Sequence, residues 1–158
     1  MFRPVRRTKN EIPAEEAKQL LHDERRGVLA LHGDDGYPYA VPVNYFYDEA
    51  AQKIYFHGAK AGHKVDALEA CDKVCFTVYG HETIKTDAWA PYLQSTVVFG
   101  RCRIMADHEE AMKQLKRMAM KYYPDEALVD SEIRRAEKTV QMFEITIEHL
   151  TGKEVQER

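Results

Sequence analysis

Gly62, His63 and Lys64 open a helix directly after the apolar run Ile54-Tyr-Phe-His-Gly-Ala59 and the small-residue turn Lys60-Ala-Gly62. The first backbone N–H groups of a helix have no intrahelical partner and carry the positive end of its dipole. An anion placed there is stabilised by amides and by any neighbouring cation. Lys64 supplies that cation, and phosphate is the chemistry it suits. The spacing is neither the G-x-G-x-x-G of dinucleotide sites nor the longer glycine loop and Gly-Lys-Ser/Thr of a P-loop. A glycine-containing turn between a strand and an amphipathic helix accounts for the same residues without a ligand, so the local pattern alone leaves both readings open.

The elements that must position this turn follow from periodicity. Pro13 with Ala14, Glu15 and Glu16 starts a helix whose apolar side carries Leu20 and Leu21. Gly27–Leu31 reads as a strand, Gly33-Asp-Asp-Gly36 as a hairpin turn, and the alternation of Tyr39, Val41, Val43, Tyr45 and Tyr47 as the next strand. Pro38 and Pro42 cannot donate to a ladder and place that strand at an edge or bulge. Asp48 to Gln52 turns the chain into a strand over Lys53–His57, followed by a helix from about Ala61 to Ala70 and a strand over Lys73–Tyr79. His81 to Pro91, with the single tryptophan Trp89, reads as a polar loop able to cover something. Tyr92–Met105 is a long strand with Gly100 inside it, where glycine marks a bulge, a bend or a close backbone approach. Asp107 and Glu110 start a helix that turns Ala111, Leu115, Met118 and Ala119 inward. An acidic stretch follows Pro124, and Val140–Leu150 closes as a strand. Short strands with singly inserted helices predict a mainly β fold, an antiparallel sheet closed into a small barrel with helical attachments.

Composition narrows the class. The 158 residues suit one domain, residues 1–158, with 1–10 as an N-terminal arm. Twenty-three basic and 26 acidic residues leave a net charge of −3, which argues against a nucleic-acid partner held by counterion release. No run approaches the roughly 18 apolar residues of a membrane span, and no apolar core follows the N-terminal arginines as in a signal peptide. The expected location is the cytoplasm, with no membrane partner. Cys71, Cys75 and Cys102 have neither paired nor zinc-finger spacing and are expected as buried free thiols. His22, His32, His81, His108 and His149 show no metal-ligand spacing, so no metal is expected.

Four segments recur in a recognisable order: Gly27-Val-Leu-Ala, Gly36-Tyr-Pro-Tyr-Ala-Val-Pro-Val-Asn44, Tyr55-Phe-His-Gly-Ala-x-x-Gly-x-Lys64 and Ser95-x-Val-Val-x-Gly100. Together they resemble the pyridoxamine 5′-phosphate oxidase-like, FMN-binding split barrels, and within them the nitroimidazole-resistance branch, over about residues 11–153. The resemblance implies a six-stranded antiparallel split β-barrel and a homodimer with FMN at the subunit interface. By that resemblance Lys64 meets the FMN phosphate with His63 beside it, and His57, Gly58 and Ala59 run along the ribityl chain and phosphate. Val43, Asn44 and Tyr45 lie along the isoalloxazine through backbone groups, and Ser95 reaches the flavin or its tail. The chain lacks the oxidases' arginine-rich substrate pocket and C-terminal Arg-x-His pattern, which argues against vitamin B6 phosphate as substrate.

The function implied is a flavin-dependent oxidoreductase that reduces small electron-poor acceptors such as nitroaromatics, with no catalytic side chain assigned. A flavin phosphate wants a helix N-terminus and a lysine, and its ring wants an apolar slot with a few backbone bonds, so the two lines agree. Two alternatives stay open: a haem-binding split barrel with His57 or His63 as axial ligand, and a flavin carrier or sensor without turnover. His57 is also explained as a histidine satisfied by a backbone carbonyl, and His63 as a solvent-facing helix residue.

Overall fold

The computed structural model describes residues 1–86 and 89–157. Seven strands, β1 (Arg26–His32), β2 (Pro38–Asn44), β3 (Phe46–Asp48), β4 (Lys53–Ala59), β5 (Lys73–Thr83), β6 (Tyr92–Ile104) and β7 (Val140–Gln156), form one antiparallel sheet in the order β2-β1-β5-β6-β7-β4-β3. Helix α1 (Ala14–Asp23) precedes the sheet, α2 (His63–Ala70) links β4 to β5, and α3 (His108–Tyr122) and α4 (Glu126–Ala136) lie between β6 and β7. The sheet curls on itself, with β2 also approaching β4 across the seam.

The seventh strand corrects the expected count of six, and its origin is local. Tyr39–Tyr47 alternates as one strand, yet the chain leaves the ladder at Tyr45, so that β2 and β3 lie on opposite edges of the sheet. The Tyr45 N–H donates to the Tyr122 hydroxyl at 2.9 Å, and the one proton of that hydroxyl is shared between the Arg25 carbonyl at 2.5 Å and the Tyr45 carbonyl at 2.7 Å, which also accepts from Lys121 Nζ at 3.4 Å. Both backbone groups of Tyr45 are thus satisfied outside the sheet, which removes the cost of interrupting the ladder. Its ring is fully buried edge-on against Phe76, and its hydroxyl donates to the Leu21 carbonyl on α1 at 2.7 Å.

Two apolar layers flank the sheet. The barrel interior holds Leu29, Ile54, Phe56, Phe76, Val98, Phe143 and Ile145, closed by Leu20 and Leu21 of α1. On the opposite side of β4 and β7, Tyr55 and Met142 pack against Met105, Ala111, Leu115 and Met118 beneath α3. Alternation along β4 therefore sends Ile54, Phe56 and Gly58 inward and Tyr55, His57 and Ala59 outward. Asp107 and Asp125 cap α3 and α4, accepting from the Glu110 and Leu128 N–H groups at 2.8 and 3.0 Å.

Two further boundaries, and the burial of two thiols, differ from expectation. The segment read as a loop from His81 begins as strand, since β5 continues to Thr83, where His81 adopts a φ of 50° at a register shift. Asp87 and Ala88 of that segment lie outside the described residues, and Trp89 is exposed. Strand β7 runs on to Gln156 because β6 pairs with it along its whole length, down to Tyr92 opposite Gln156. Only Cys102 is a buried thiol; Cys71, at the end of α2, and Cys75, on the outer face of β5, are half-buried.

Candidate functional site

Gly62 precedes α2 with φ 128°, a conformation that L side chains rarely adopt, and this turns the chain sharply from the end of β4 into the helix. Its carbonyl accepts from Val65 and Asp66, but no side chain caps α2. Among the described residues the His63 and Lys64 amides at the start of α2 are left open.

Lys64 is half-buried and folds back over the barrel mouth. Its Nζ lies 3.2 Å from where a Cβ at Gly58 would stand and 5.7 and 5.9 Å from the ring centroids of Phe56 and Phe143. These two rings stack in parallel, 4.8 Å apart, and form an aromatic floor. Among the described residues the ammonium has no hydrogen bond and no ion pair, only these ring faces. Burial pulls its pKa down, with a small opposing influence from Cys102. The Cys102 thiol is pushed up to about 12, first by burial and then by the carboxylates of Glu144 and Asp72, so it stays protonated and gives Lys64 no counter-charge.

His63, beside Lys64, stacks on Tyr39 at a centroid distance of 4.0 Å, with Nε2 3.6 Å from the Asp34 carboxylate. It joins the first turn of α2 to the β1–β2 connection. His57 projects from the other face of β4 into a cavity of about 460 Å³ bounded by α3 and α4. Desolvation, and then the charge of Lys64, hold its pKa below the usual imidazole value. It has no hydrogen-bond partner among the described residues, so the carbonyl bond weighed from the sequence is not made. Gly58 and Ala59 pair with Gln141 and Val140 of β7.

Val43 and Asn44 end β2, whose far side has no ladder partner among the described residues and faces the seam. Tyr45 differs from them, because Tyr122 already occupies its backbone N–H and C=O. Ser95 stands apart: it pairs with Tyr79 and Lys153 on the outer face of the sheet, whereas Cys102, the β6 residue near Lys64, faces inward. Seven residues along β6 separate Ser95 from Cys102, roughly 23 Å. The fold gathers His57, Gly58, Ala59, His63 and Lys64 at one end of β4 with the end of β2 across the seam, and leaves Ser95 away from them within one chain.

Sequence reasoning did not reach the Phe56–Phe143 floor, the Tyr122 bridge or the α3–α4 cavity. Inward alternation of Phe56 and Phe143 was the available signal for the first. The other two arise from contacts between residues far apart in the chain.

The sequence pattern of the pyridoxamine 5′-phosphate oxidase family matches residues 13–154, and the chain belongs to that family. No curated protein matches it. Among solved structures, it superposes on a proposed 5-nitroimidazole antibiotic resistance protein from Bacteroides thetaiotaomicron with a TM-score of 0.79 at 19% identity, covering 92% of this chain and 87% of that one. An FAD-binding protein from Mesorhizobium loti gives a TM-score of 0.63 at 23% identity over 92% and 96% of the two chains. An FAD and heme binding protein from Mycobacterium smegmatis gives 0.71 at 17% identity over 92% and 72%. The fold shared with these proteins is the curled antiparallel split barrel.

Proposed function

We propose that this chain is an FMN-binding flavoprotein that holds the flavin phosphate at the amino end of α2 and acts as an oxidoreductase toward small, flat, electron-poor acceptors such as nitroaromatics. One observation carries the proposal: Lys64, a half-buried cation with no hydrogen bond or ion pair among the described residues, stands beside the open amides at the start of α2. A partly desolvated cation without a counter-ion lowers stability unless something anionic joins it. A phosphate there gains a charge-assisted bond from Lys64 and bonds from the His63 and Lys64 amides.

The remaining parts fit a flavin in this position. The free side of β2 at Val43 and Asn44 offers backbone groups to a ring edge across the seam. His63, held by Tyr39 and Asp34, adds a second donor at the phosphate end. The flavin would supply the redox chemistry, and the chain's residues bind it, orient it and exclude water from its ring. FAD binding stated for the Mesorhizobium and Mycobacterium proteins supports a flavin as the cofactor class, and nitroimidazole resistance stated for the Bacteroides protein supports the acceptor class.

Ser95 favours a homodimer. Its side chain reaches the ligand at Lys64 only if a second copy brings its outer sheet face to that ligand. Around Ser95 that face presents Val97, Tyr79 at 63% exposure and Phe99 at 38%, apolar surface that a two-fold partner would cover.

The test is an absorbance spectrum of the purified protein, mass identification of any released ligand, and an FMN titration of the wild type and Lys64→Ala. A flavin spectrum, a released mass of FMN and weaker binding by the variant are expected. A Soret band, or equal FMN affinity in both proteins, overturns the phosphate assignment. Turnover of a nitro compound with reduced nicotinamide separates the oxidoreductase from a carrier or sensor.

A further inference from the structure

Lys121, on the last turn of α3, holds an amine whose surroundings suit its uncharged form. Its Nζ donates to the Glu24 carbonyl at 2.6 Å and, more weakly, to the Tyr45 carbonyl at 3.4 Å, and it lies over the Tyr45 ring, 4.2 Å from the centroid. A neutral amine has two hydrogens for these two carbonyls and keeps a lone pair; an ammonium brings a third hydrogen and a charge. The ring face returns only part of what that charge loses with its water.

The two carboxylates that act on Lys121 are engaged elsewhere. Asp23 accepts from Gln19 at 2.8 Å and meets His81 at 2.7 Å, and Glu24 turns its carboxylate onto Gly80 of β5. Among the described residues no carboxylate forms an ion pair with Lys121. Arg25 adds a like charge, since its guanidinium lies over the Tyr122 ring at 4.9 Å, the same ring that Lys121 approaches at 5.6 Å.

We propose that Lys121 is a covalent acylation site that takes the acyl group of a small acyl phosphate, with Arg25 holding the phosphate. Burial, and then Arg25, pull the Lys121 pKa down to about 8 against the opposing influence of Glu24 and Asp23, so a sizeable fraction of the amine is a free nucleophile near neutral pH. Lys121 is only partly buried and Arg25 is exposed, so a small reagent reaches both. In the reaction the Nζ lone pair forms the N–C bond, the bond from the carbonyl carbon to the phosphate oxygen breaks with its electron pair on that oxygen, and the amine proton passes to solvent. Inorganic phosphate leaves, its charge met by Arg25, which has no ion pair among the described residues. The amide that results keeps one hydrogen, so the Glu24 and Tyr45 carbonyls can no longer both be met. Acylation therefore loosens the last turn of α3 from the end of α1 and from the break between β2 and β3.

The test treats the full chain with acetyl phosphate and follows acetylation of each lysine by peptide mass. Lys113, exposed on the same helix, is the comparator. At about pH 7.5 initial acetylation of Lys121 should be roughly tenfold faster than that of Lys113, and its rate should level off above about pH 9. In concentrated urea the two rates should become equal. Arg25→Gln should slow the reaction of Lys121 with acetyl phosphate severalfold and change its reaction with the uncharged N-acetoxysuccinimide much less. Acetylation of Lys121 no faster than of Lys113, or a preference that survives in urea, overturns the acylation site. Equal slowing of both reagents by Arg25→Gln overturns the phosphate contact. Each readout is a covalent mass, taken with and without FMN, so this proposal fails or stands apart from the flavin proposal.

Discussion

Glu144 and Lys64 are both charged groups withdrawn from water on β7 and α2, and the fold treats them oppositely. The Glu144 side chain is almost fully buried, and Arg103 meets it through both carboxylate oxygens at 2.8 and 3.0 Å while Lys53 adds a bond at 3.0 Å. Desolvation alone would raise its pKa, but Arg103 and Lys53 outweigh it and hold the carboxyl below its usual value. Lys64 is left with two ring faces. A charge whose bonds are complete ties strands together, and a charge whose bonds are missing marks where something else is meant to bind. Stability should respond to changes at the first and ligand affinity to changes at the second.

The largest loss should come from the strand pair that carries Glu144. A Cβ at Gly100 would fall on the Thr146 carbonyl oxygen, well inside van der Waals contact, at the β6–β7 register shift. Gly100→Val should therefore cost about 3 kcal/mol or more in urea unfolding. A variant as stable as the wild type would mean that the strands are not this close.

Glu144→Ala comes next. It leaves Arg103 and Lys53 without their acceptor, and because Arg103 is half exposed the cost should be about 2–3 kcal/mol rather than the full value of a buried pair. The folded pKa of Glu144 is depressed, so its contribution is complete above the unfolded value of roughly 4.3 and is lost as pH falls through the folded pKa. The stability gap between wild type and variant should close under acid and persist at neutral pH. A gap independent of pH would assign the loss to packing.

Lys64→Met should do the reverse. With no partner to lose, the variant should unfold at the same urea concentration as the wild type or slightly higher, while FMN affinity falls by about 1.5–3 kcal/mol, roughly ten- to a hundredfold. Marked destabilisation without an affinity change would collapse the distinction between the two sites.

The smallest effect tests a histidine with a complete set of bonds. Gln94 donates through its amide nitrogen to Glu16 at 3.1 Å and Glu154 at 3.3 Å, so its oxygen faces His81 Nδ1 at 2.9 Å, and Nε2 meets Asp23 at 2.7 Å. Both ring nitrogens must donate, which favours the imidazolium. Desolvation opposes this, but Gln94 and Asp23 outweigh it and raise the pKa. A raised pKa means stability present in full below about pH 6.5 and lost as pH rises through the folded value. His81→Gln should cost about 1 kcal/mol at pH 6 and less at pH 9, measured as thermal midpoints in one buffer series. A cost that grows with pH would reverse the assigned charge.

The sequence was most legible where structure is local. Apolar runs placed β1 and β6 and alternation placed β5, and the strand–turn–helix around Gly62 and Lys64 was readable because one contiguous stretch, Ile54 to Lys64, defines it. The break at Tyr45 was not legible: a run that alternates through Tyr47 gives no sign of an interruption imposed by Tyr122, 77 residues away. Helix α4 was read only as an acidic stretch after Pro124, because its apolar residues Leu128, Val129 and Ile133 are few among charged neighbours. His81 looked like a loop residue, since its partners on α1 and β6 lie far away in the chain. Ser95 came from resemblance alone, and one chain gives it no route to Lys64.

Tyr45 joins the two outer edges of the sheet by a single residue, so β2 and β3 face a common seam where separate edges would stand open to other chains. The Tyr122 hydroxyl works there as a latch. Without it, the Tyr45 N–H loses its partner and the Tyr45 carbonyl keeps only Lys121 Nζ at 3.4 Å, and opening of the seam would uncover two unpaired strands together. A phenol oxygen on the last turn of α3 thus helps to keep two strand edges turned toward each other and away from other chains.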